Sequence, residues 1–349
     1  MSFFGVTIEQ IETIAPIVGA DSIDRATLVG KTYEFVVPKG KFLVGETVVY
    51  FPVDSVLPLI IQEKLGLVGR LAGSNKDRIK VIKLRGQYSC GVVAKMDIIA
   101  DLLQSIPNPS TEEITAFLGV SKYEPPTVPC KTGNLCALPV GLNKYDIESV
   151  NSDKGLFDSL LDERVVISEK LEGSNASISY DPVTDTKYVN SRNYTIIPID
   201  GKTHDWWGYV DELNIWKCLK DLSNQYNAPV TFYGEWIGPN SQGNIYKLPK
   251  NKVCFFDIKV GGNFLDYHEQ KNIFTWLGLE TVPILSDDKT LREWLGDKSV
   301  VDASHGISKL ANTYREGIVI KPVTERYADR FGRVIFKFRD LIYLEKTGM

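Results

Sequence analysis

Two β-branched runs, each meeting a lysine, constrain this chain more than any other feature. Val165-Val166-Ile167 leads into Glu169-Lys170-Leu171-Glu172-Gly173-Ser174-Asn175, and much later Glu316-Gly317-Ile318-Val319-Ile320-Lys321 repeats acid, glycine, β-branched run and lysine. β-Branched residues suit a pleated, half-buried surface, so both segments read as strands. The first ends at a glycine that permits a sharp turn, and Ala176-Ser177-Ile178-Ser179-Tyr180 then alternates as a second strand. A lysine at the mouth of such a pair is flanked by acids. An ordinary lysine ammonium has a pKa near ~10.4, and acids alone would hold its proton on. A divalent cation gathered by the same acids would reverse that balance and free a nucleophile.

At 349 residues the chain is long for one core, and two domains are expected. A net charge of −4 exerts no general pull on nucleic acid, so any basic surface must be local. The five cysteines (Cys90, Cys130, Cys136, Cys218, Cys254) include no Cys-x-x-Cys, and His204, His268 and His305 stand far apart, so a zinc site is not expected. Reduced thiols fit an intracellular compartment, cytoplasmic or nuclear, and Cys130 and Cys136 read as ordinary loop thiols. The N-terminus lacks a basic start followed by an apolar core, so no signal peptide is expected. The apolar stretch around Val56 to Ile61 is short and broken by Pro58, which argues against any membrane span.

Residues 1–95 read as short strands between turn signals: Val6–Ile14, Ala26–Val29, Tyr33–Val37, Thr47–Phe51, Ile79–Leu84 and Cys90–Ala94. With breaks at Pro38-Lys39-Gly40 and Arg85-Gly86, they suggest a small closed barrel of the OB type. Six basic residues (Arg70, Lys76, Arg78, Lys80, Lys83, Arg85) accompany a single acid, Asp77, as a solvated face or a phosphate-tracking patch. Ser110 and Glu113 stand at capping-box spacing. Glu124-Pro125-Pro126-Thr127-Val128-Pro129 is too stiff for a helix and marks the domain connection, giving units 1–125 and 126–349. Beyond it, strand signals alternate with helical stripes at Val210, Leu213, Trp216, Leu219, Leu222 and at Ile273, Trp276, Leu277, all expected to be core faces.

Lys170-Leu171-Glu172-Gly173 resembles the nucleotide-attachment motif of the covalent nucleotidyltransferases, the polynucleotide ligases and capping enzymes. Further motifs follow in that superfamily's order. Ser191-Arg192-Asn193 resembles its second, with Arg192 on the nucleotide. Phe232-Tyr233-Gly234-Glu235 resembles the third, with Glu235 on ribose or metal water. Phe255-Phe256-Asp257 is similar to the next, with Phe256 stacked on the purine. Glu316-Gly317-Ile318-Val319-Ile320-Lys321 resembles the metal-binding motif, and Val334-Ile335-Phe336-Lys337 the last, phosphate-binding one.

Motif order narrows the branch. Ten residues (340–349) follow Arg339, too few for a barrel, while the barrel-like segment comes first. That arrangement resembles the Naegleria-type, or fifth, RNA ligase family. Glu169 matches the glutamate that reads the adenine amino group there, Asn175 a polar residue near the metal waters, and Leu138–Asp146 the lead-in to the catalytic domain. Two departures are visible: Ser149 stands where a triphosphate-binding arginine is common, and Arg339 where a second lysine is usual.

The resemblance implies an α+β protein: an N-terminal OB-like β-barrel, then an adenylyltransferase domain of antiparallel sheets with flanking helices. It implies an ATP-dependent RNA ligase in which Lys170 attacks the α-phosphate, AMP passes to a 5′-phosphate RNA end, and a 3′-hydroxyl seals the strand. The nucleotide would be held by Glu169, Asn175, Arg192, Glu235, Phe256, Lys321, Lys337 and Arg339. Mg²⁺ or Mn²⁺ would be held by Glu172, Glu235 and Glu316. RNA, as a nicked duplex or an RNA/DNA hybrid, would meet Lys80, Lys83 and Arg85, and the protein would act as a monomer. The alternatives are a GTP-dependent capping-type guanylyltransferase and a catalytically impaired RNA-binding homologue.

Overall fold

The computed structural model describes residues 4–124, 133–151, 153–199, 204–239, 241–329 and 331–347. The expected boundary between 125 and 126, and Cys130, lie outside the described residues.

The N-terminal sheet has the antiparallel order Phe35–Pro38, Ile23–Leu28, Thr7–Pro16, Thr47–Phe51, Val92–Lys95. Both faces of Thr47–Phe51 are covered. Val48 packs with Ile11, Leu28 and Phe35 inside the curl of the sheet. Val49 and Phe51 pack outward with Ile99, Ile114 and Leu118. Ser110 caps the Thr111–Phe117 helix through the reciprocal box with Glu113. Element ends depart from expectation where backbone chemistry intervenes. Val29 leaves the strand for a turn at Gly30 (φ 71°), and Gly91 (φ 117°) delays the last strand until Val92. Ile79–Leu84 splits: Ile82–Leu84 pairs in a hairpin with Gln87–Ser89, while Ile79 bonds through its backbone to Asp54 and Ser55.

Two sheets build the remainder. One runs Gly133–Cys136, Thr195–Pro198, Thr186–Ser191, Ser174–Asp181, Val230–Ile237, Lys252–Val260, Asn263–Phe264, each neighbour antiparallel. The other runs Glu148–Ser149, Phe336–Arg339, Gly317–Pro322, Val165–Lys170, Ile284–Ser286, parallel only at its first pair. Helices Asp205–Glu212, Ile215–Tyr226 and Tyr267–Leu277 cover the first sheet's apolar face. The expected helical stripes need two corrections. Leu213 is 40% exposed because Asn214, at φ 54°, ends one helix and starts the next. Trp276 is 73% exposed, and Phe274 takes the core position on that helix.

Glycines in the motifs serve close approach. Gly173 needs no left-handed backbone; a Cβ there would lie 2.5 Å from the Trp236 carbonyl oxygen and 2.8 Å from Glu235 Cγ. A Cβ on Gly317 would lie 2.1 Å from the Phe338 carbonyl oxygen. Because backbone cannot step aside as a flexible side chain can, Gly317→Ala is expected to cost about 1–3 kcal/mol or more of folding stability. Urea unfolding checks this, and an unchanged midpoint would contradict it.

Candidate active site

Strand register assembles the site. Directly opposed residues in adjacent strands share a face, and alternate residues along a strand return to it. Lys170 opposes Gly317, Val166 opposes Lys321, Gly317 opposes Arg339, and Val319 opposes Lys337. Lys170, Lys321, Lys337 and Arg339 therefore stand on one face. That face borders a cavity of about 1920 Å³, whose other walls come from the seven-stranded sheet and the N-terminal sheet.

Across the cavity, Asn175 and Glu235 are paired neighbours on adjacent strands. Phe256 reaches the cavity through a β-bulge: Tyr233 opposes Asp257 and Gly234 opposes Phe255, leaving Phe256 as the extra residue. Phe255 is thereby fully buried while Phe256 borders the cavity, 5.0 Å centroid to centroid from Tyr145. Arg192, beyond the Thr186–Ser191 strand, borders it too and pairs with Asp146.

Lys170 Nζ lies 2.6 Å from Glu316 Oε1. Glu169 is buried. Its Oε2 accepts from the Lys309 amide (2.9 Å), whereas its Oε1 has no hydrogen-bond partner among the described residues. Burial, reinforced by the Glu316 charge and only partly opposed by Lys170, pushes the Glu235 carboxyl up to about 8. Burial also lowers Lys337 to about 8, helped by Lys170, Arg339 and Lys122 and opposed by Glu148.

Lys321 is fixed more firmly. It pairs with buried Asp257 and lies 3.7 Å from Glu325, while Arg333 bridges both acids (2.7 Å to Asp257 Oδ2, 2.5 Å to Glu325 Oε1). Burial works against the Asp257 charge, but Arg333 and Lys321 outweigh it and hold the carboxyl well below its usual range. Tyr145 also donates to Asp257, so the aromatic beside Phe256 and the lysine on the facing sheet share one anchor. Arg333, Asp257 and Tyr145 carried no role in the sequence reading, since only their pairing across 76 and 112 residues reveals it.

The three acids expected at a metal divide between two places. Glu172 does not border the cavity. Its Oε1 accepts from the Gly243 amide (3.1 Å), its Oε2 from Tyr343 Oη–H (2.7 Å), and its own amide donates to Tyr246 Oη (2.7 Å). Its oxygens are thus engaged in anchoring the turn after Lys170. Among the described residues no three acidic, histidine or cysteine side chains converge to cage an ion. Burial and, to a lesser degree, the Glu316 charge disfavour the Glu235 carboxylate, a cost that a divalent ion with several retained waters would relieve.

Ser149 borders the cavity directly beside Lys337 in parallel register. Arg164 does not substitute for an arginine there: it bridges to Thr290 away from the cavity. Lys80, Lys83 and Arg85 lie outside the cavity as well. Lys83 lies 3.8 Å from Glu345 and Arg85 occupies the exposed hairpin turn at φ 49°. Arg78, expected on the same basic surface, is instead buried against Asp54.

A model of the RNA ligase family matches residues 163–339, from before the Lys170 strand through Arg339. The chain belongs to the RNA ligase family. An OB-fold domain model matches residues 5–96 of this family member. Solved structures of Naegleria gruberi RNA ligase are similar over 98% of both chains: an apo form at 26% identity and TM-score 0.81, and a form with ATP and Mn at 25% identity and TM-score 0.81. Among curated proteins, the Early 65 kDa protein of Autographa californica nuclear polyhedrosis virus is 27% identical over 143 residues. The match covers 38% of this chain and 24% of that one, so the chain spans about a quarter of this relative's length. No described helix of this ligase family member is long and apolar enough to cross a membrane.

The raised Glu235 value fixes a sign. Between the ordinary 4.5 and about 8 the folded chain binds more protons here than the unfolded chain. This contribution to stability is full below the lower value and is lost as pH rises through the upper one. Glu235→Gln, neutral at every pH, is therefore expected to melt higher than the parent at about pH 9 and no higher at about pH 5. Calorimetry at both pH values checks this; a difference that ignores pH would contradict it.

Proposed function

We propose that this chain is an ATP-dependent RNA ligase that joins 3′-hydroxyl and 5′-phosphate RNA ends through a lysyl–AMP intermediate. The observation that carries this reading is the buried Glu169 Oε1, an acceptor without a partner at the cavity edge beside Lys170. The adenine amino group is a donor that would satisfy it. Guanine carries a carbonyl oxygen at the same ring position and would leave two acceptors opposed, which argues against a GTP-dependent capping enzyme.

Lys170 Nζ attacks the α-phosphorus of ATP, a P–N bond forms, and the bond to pyrophosphate breaks as the nitrogen loses its proton. The resulting phosphoramidate passes AMP to the 5′-phosphate of an RNA end. The 3′-hydroxyl of the adjoining strand then displaces AMP and closes the phosphodiester. Phe256 supplies a ring face to adenine, with Tyr145 behind it. Asn175 and Arg192 line the nucleotide's side of the cavity, while Lys321, Lys337 and Arg339 offset phosphate charge from the opposite face. Arg333 and Asp257 hold Lys321 in place rather than leave it free to follow a departing group.

Glu235 and Glu316 are the residues suited to Mg²⁺ or Mn²⁺. When bound, the ion supplies positive charge that competes with the ammonium of Lys170 for the Glu316 carboxylate. The Naegleria gruberi RNA ligase structure with ATP and Mn supports that cofactor set. Ser149 favours a weaker hold on the triphosphate, since its hydroxyl cannot make a bidentate phosphate contact. The retained Lys170, Lys321 and Lys337 argue against an impaired homologue. A nicked duplex and a monomeric enzyme complete the proposal.

Incubation with α-labelled ATP and a divalent metal, followed by denaturing electrophoresis, is expected to yield a labelled chain that Lys170→Met abolishes. Label persisting on the variant would remove Lys170 from its role, and a GMP adduct in place of AMP would favour the capping reading. Glu169→Ala is expected to reduce the preference for ATP over GTP by about tenfold or more, the worth of a hydrogen bond to a charged acceptor. For the RNA-facing surface, replacing Lys80, Lys83 and Arg85 together by alanine is expected to make nicked-duplex binding less salt-dependent. Each lost phosphate contact should lower the slope by about one; an unchanged slope would exclude this surface.

A further inference from the structure

The cation face of the cavity is completed from the N-terminal sheet. Asp54 lies in the turn after Thr47–Phe51, and its two carboxylate oxygens are divided between the halves of the chain. Oδ1 accepts from Arg78 Nε (3.1 Å), a guanidinium of its own unit seated 3.7 Å from the Tyr123 ring centroid. Oδ2 accepts from Arg339 Nη2 (3.1 Å) at the edge of the catalytic sheet. Asp54 and Arg339 both border the cavity.

The backbone fixes this carboxylate as firmly as the ion pairs do. The Asp54 amide donates to the Ile79 carbonyl (2.9 Å) and its carbonyl accepts from the Tyr123 amide (2.8 Å). Its φ of 73° lies in the left-handed region, which aspartate and asparagine tolerate better than other non-glycine residues. One step along the chain from Arg339, the Tyr33 ring of the N-terminal unit packs 4.7 Å from the Phe338 ring. The N-terminal sheet therefore grips two consecutive residues of the strand that carries Lys337 and Arg339.

Arg339 shares its face with Lys170, Lys321 and Lys337, so like charges press it away from the site. Burial also disfavours its charge, but the acids Asp54 and Glu316 prevail. Glu316 already pairs with Lys170. We propose that Asp54 is a positioning residue for the nucleotidyl-transfer reaction. It holds the Arg339 guanidinium at the cavity edge, so that the phosphate clamp is complete only while the N-terminal unit is docked. This rests on the ligase reading, with Arg339 as a phosphate contact. It makes the unit that carries Lys80, Lys83 and Arg85 a participant in the lysine-modification step itself.

The left-handed backbone dictates the variants. Alanine at position 54 would strain the turn, whereas Asp54→Asn keeps the shape without the charge and Asp54→Gly deletes the side chain at no backbone cost. In the full chain, single-turnover formation of the AMP adduct is expected to slow by about tenfold or more in both variants. In an Arg339→Ala background either change should cost less than about twofold further, because residues acting as a unit are non-additive. Parental rates in both variants, or losses that multiply in the Arg339→Ala background, would overturn the proposal; multiplied losses would assign Asp54 to holding Arg78 alone. Should one variant fail to fold, as judged by its melting transition, the other carries the test. A parent chain that forms no adduct with ATP would instead sink the ligase reading, and this proposal with it.

Discussion

The antiparallel register of Val165–Lys170 against Gly317–Pro322 is the constraint on which the site depends. With Lys170 opposite Gly317, Lys170 and Lys321 fall on one face, and the next strand adds Lys337 and Arg339 to it. A one-residue slip would send the two lysines of the middle pair to opposite faces. Gly317 is what permits the register, because any Cβ there would meet the backbone of Phe338. Four cations on one face repel one another, and the fold offsets three of them from separate segments. Glu316 serves Lys170, Asp257 serves Lys321, and Asp54 serves Arg339.

Burial leaves a second mark on the cavity. Glu235 is driven up and Lys337 down, each to about 8, and in both cases desolvation is the largest cause. Burial thus disfavours charge of either sign at these two positions of the cavity wall. A polyphosphate with a divalent cation carries both charges in one body and would relieve both strains together.

What could be read in the sequence was whatever depends on near neighbours. The β-branched runs beside Lys170 and Lys321, the capping box at Ser110, and the barrel-then-catalytic-domain order all rest on local spacing. The bulge that separates Phe255 from Phe256 could not be read, because it is defined by the partner strand. Glu172 shows the limit most clearly. A carboxylate two residues from the lysine has the right chemistry for a metal ligand, but the spacing does not show that Gly243 and Tyr343 donate to its oxygens. Trp276 fitted a helical stripe and faces solvent, since periodicity identifies a face without saying whether anything covers it. Asp54 offered no signal at all, being an ordinary turn acid until Arg339 is brought to it.

The two ion-paired and hydrogen-bonded links that close the site from outside, Asp54–Arg339 and Glu172–Tyr343, join residues 285 and 171 positions apart. Contacts of such sequence separation form late, because the entropy of closing the intervening chain must be spent before they return any stabilisation. The cation face therefore depends on some of the least local contacts of the native state, the pairing of Glu148–Ser149 with Phe336–Arg339 among them. A chain whose two halves have come apart can keep the seven-stranded sheet, built within residues 133–264, and would then lack the Asp54–Arg339 link. Gentle denaturation would then silence chemistry before it erases secondary structure, and activity becomes the more sensitive gauge of whether the two halves are joined.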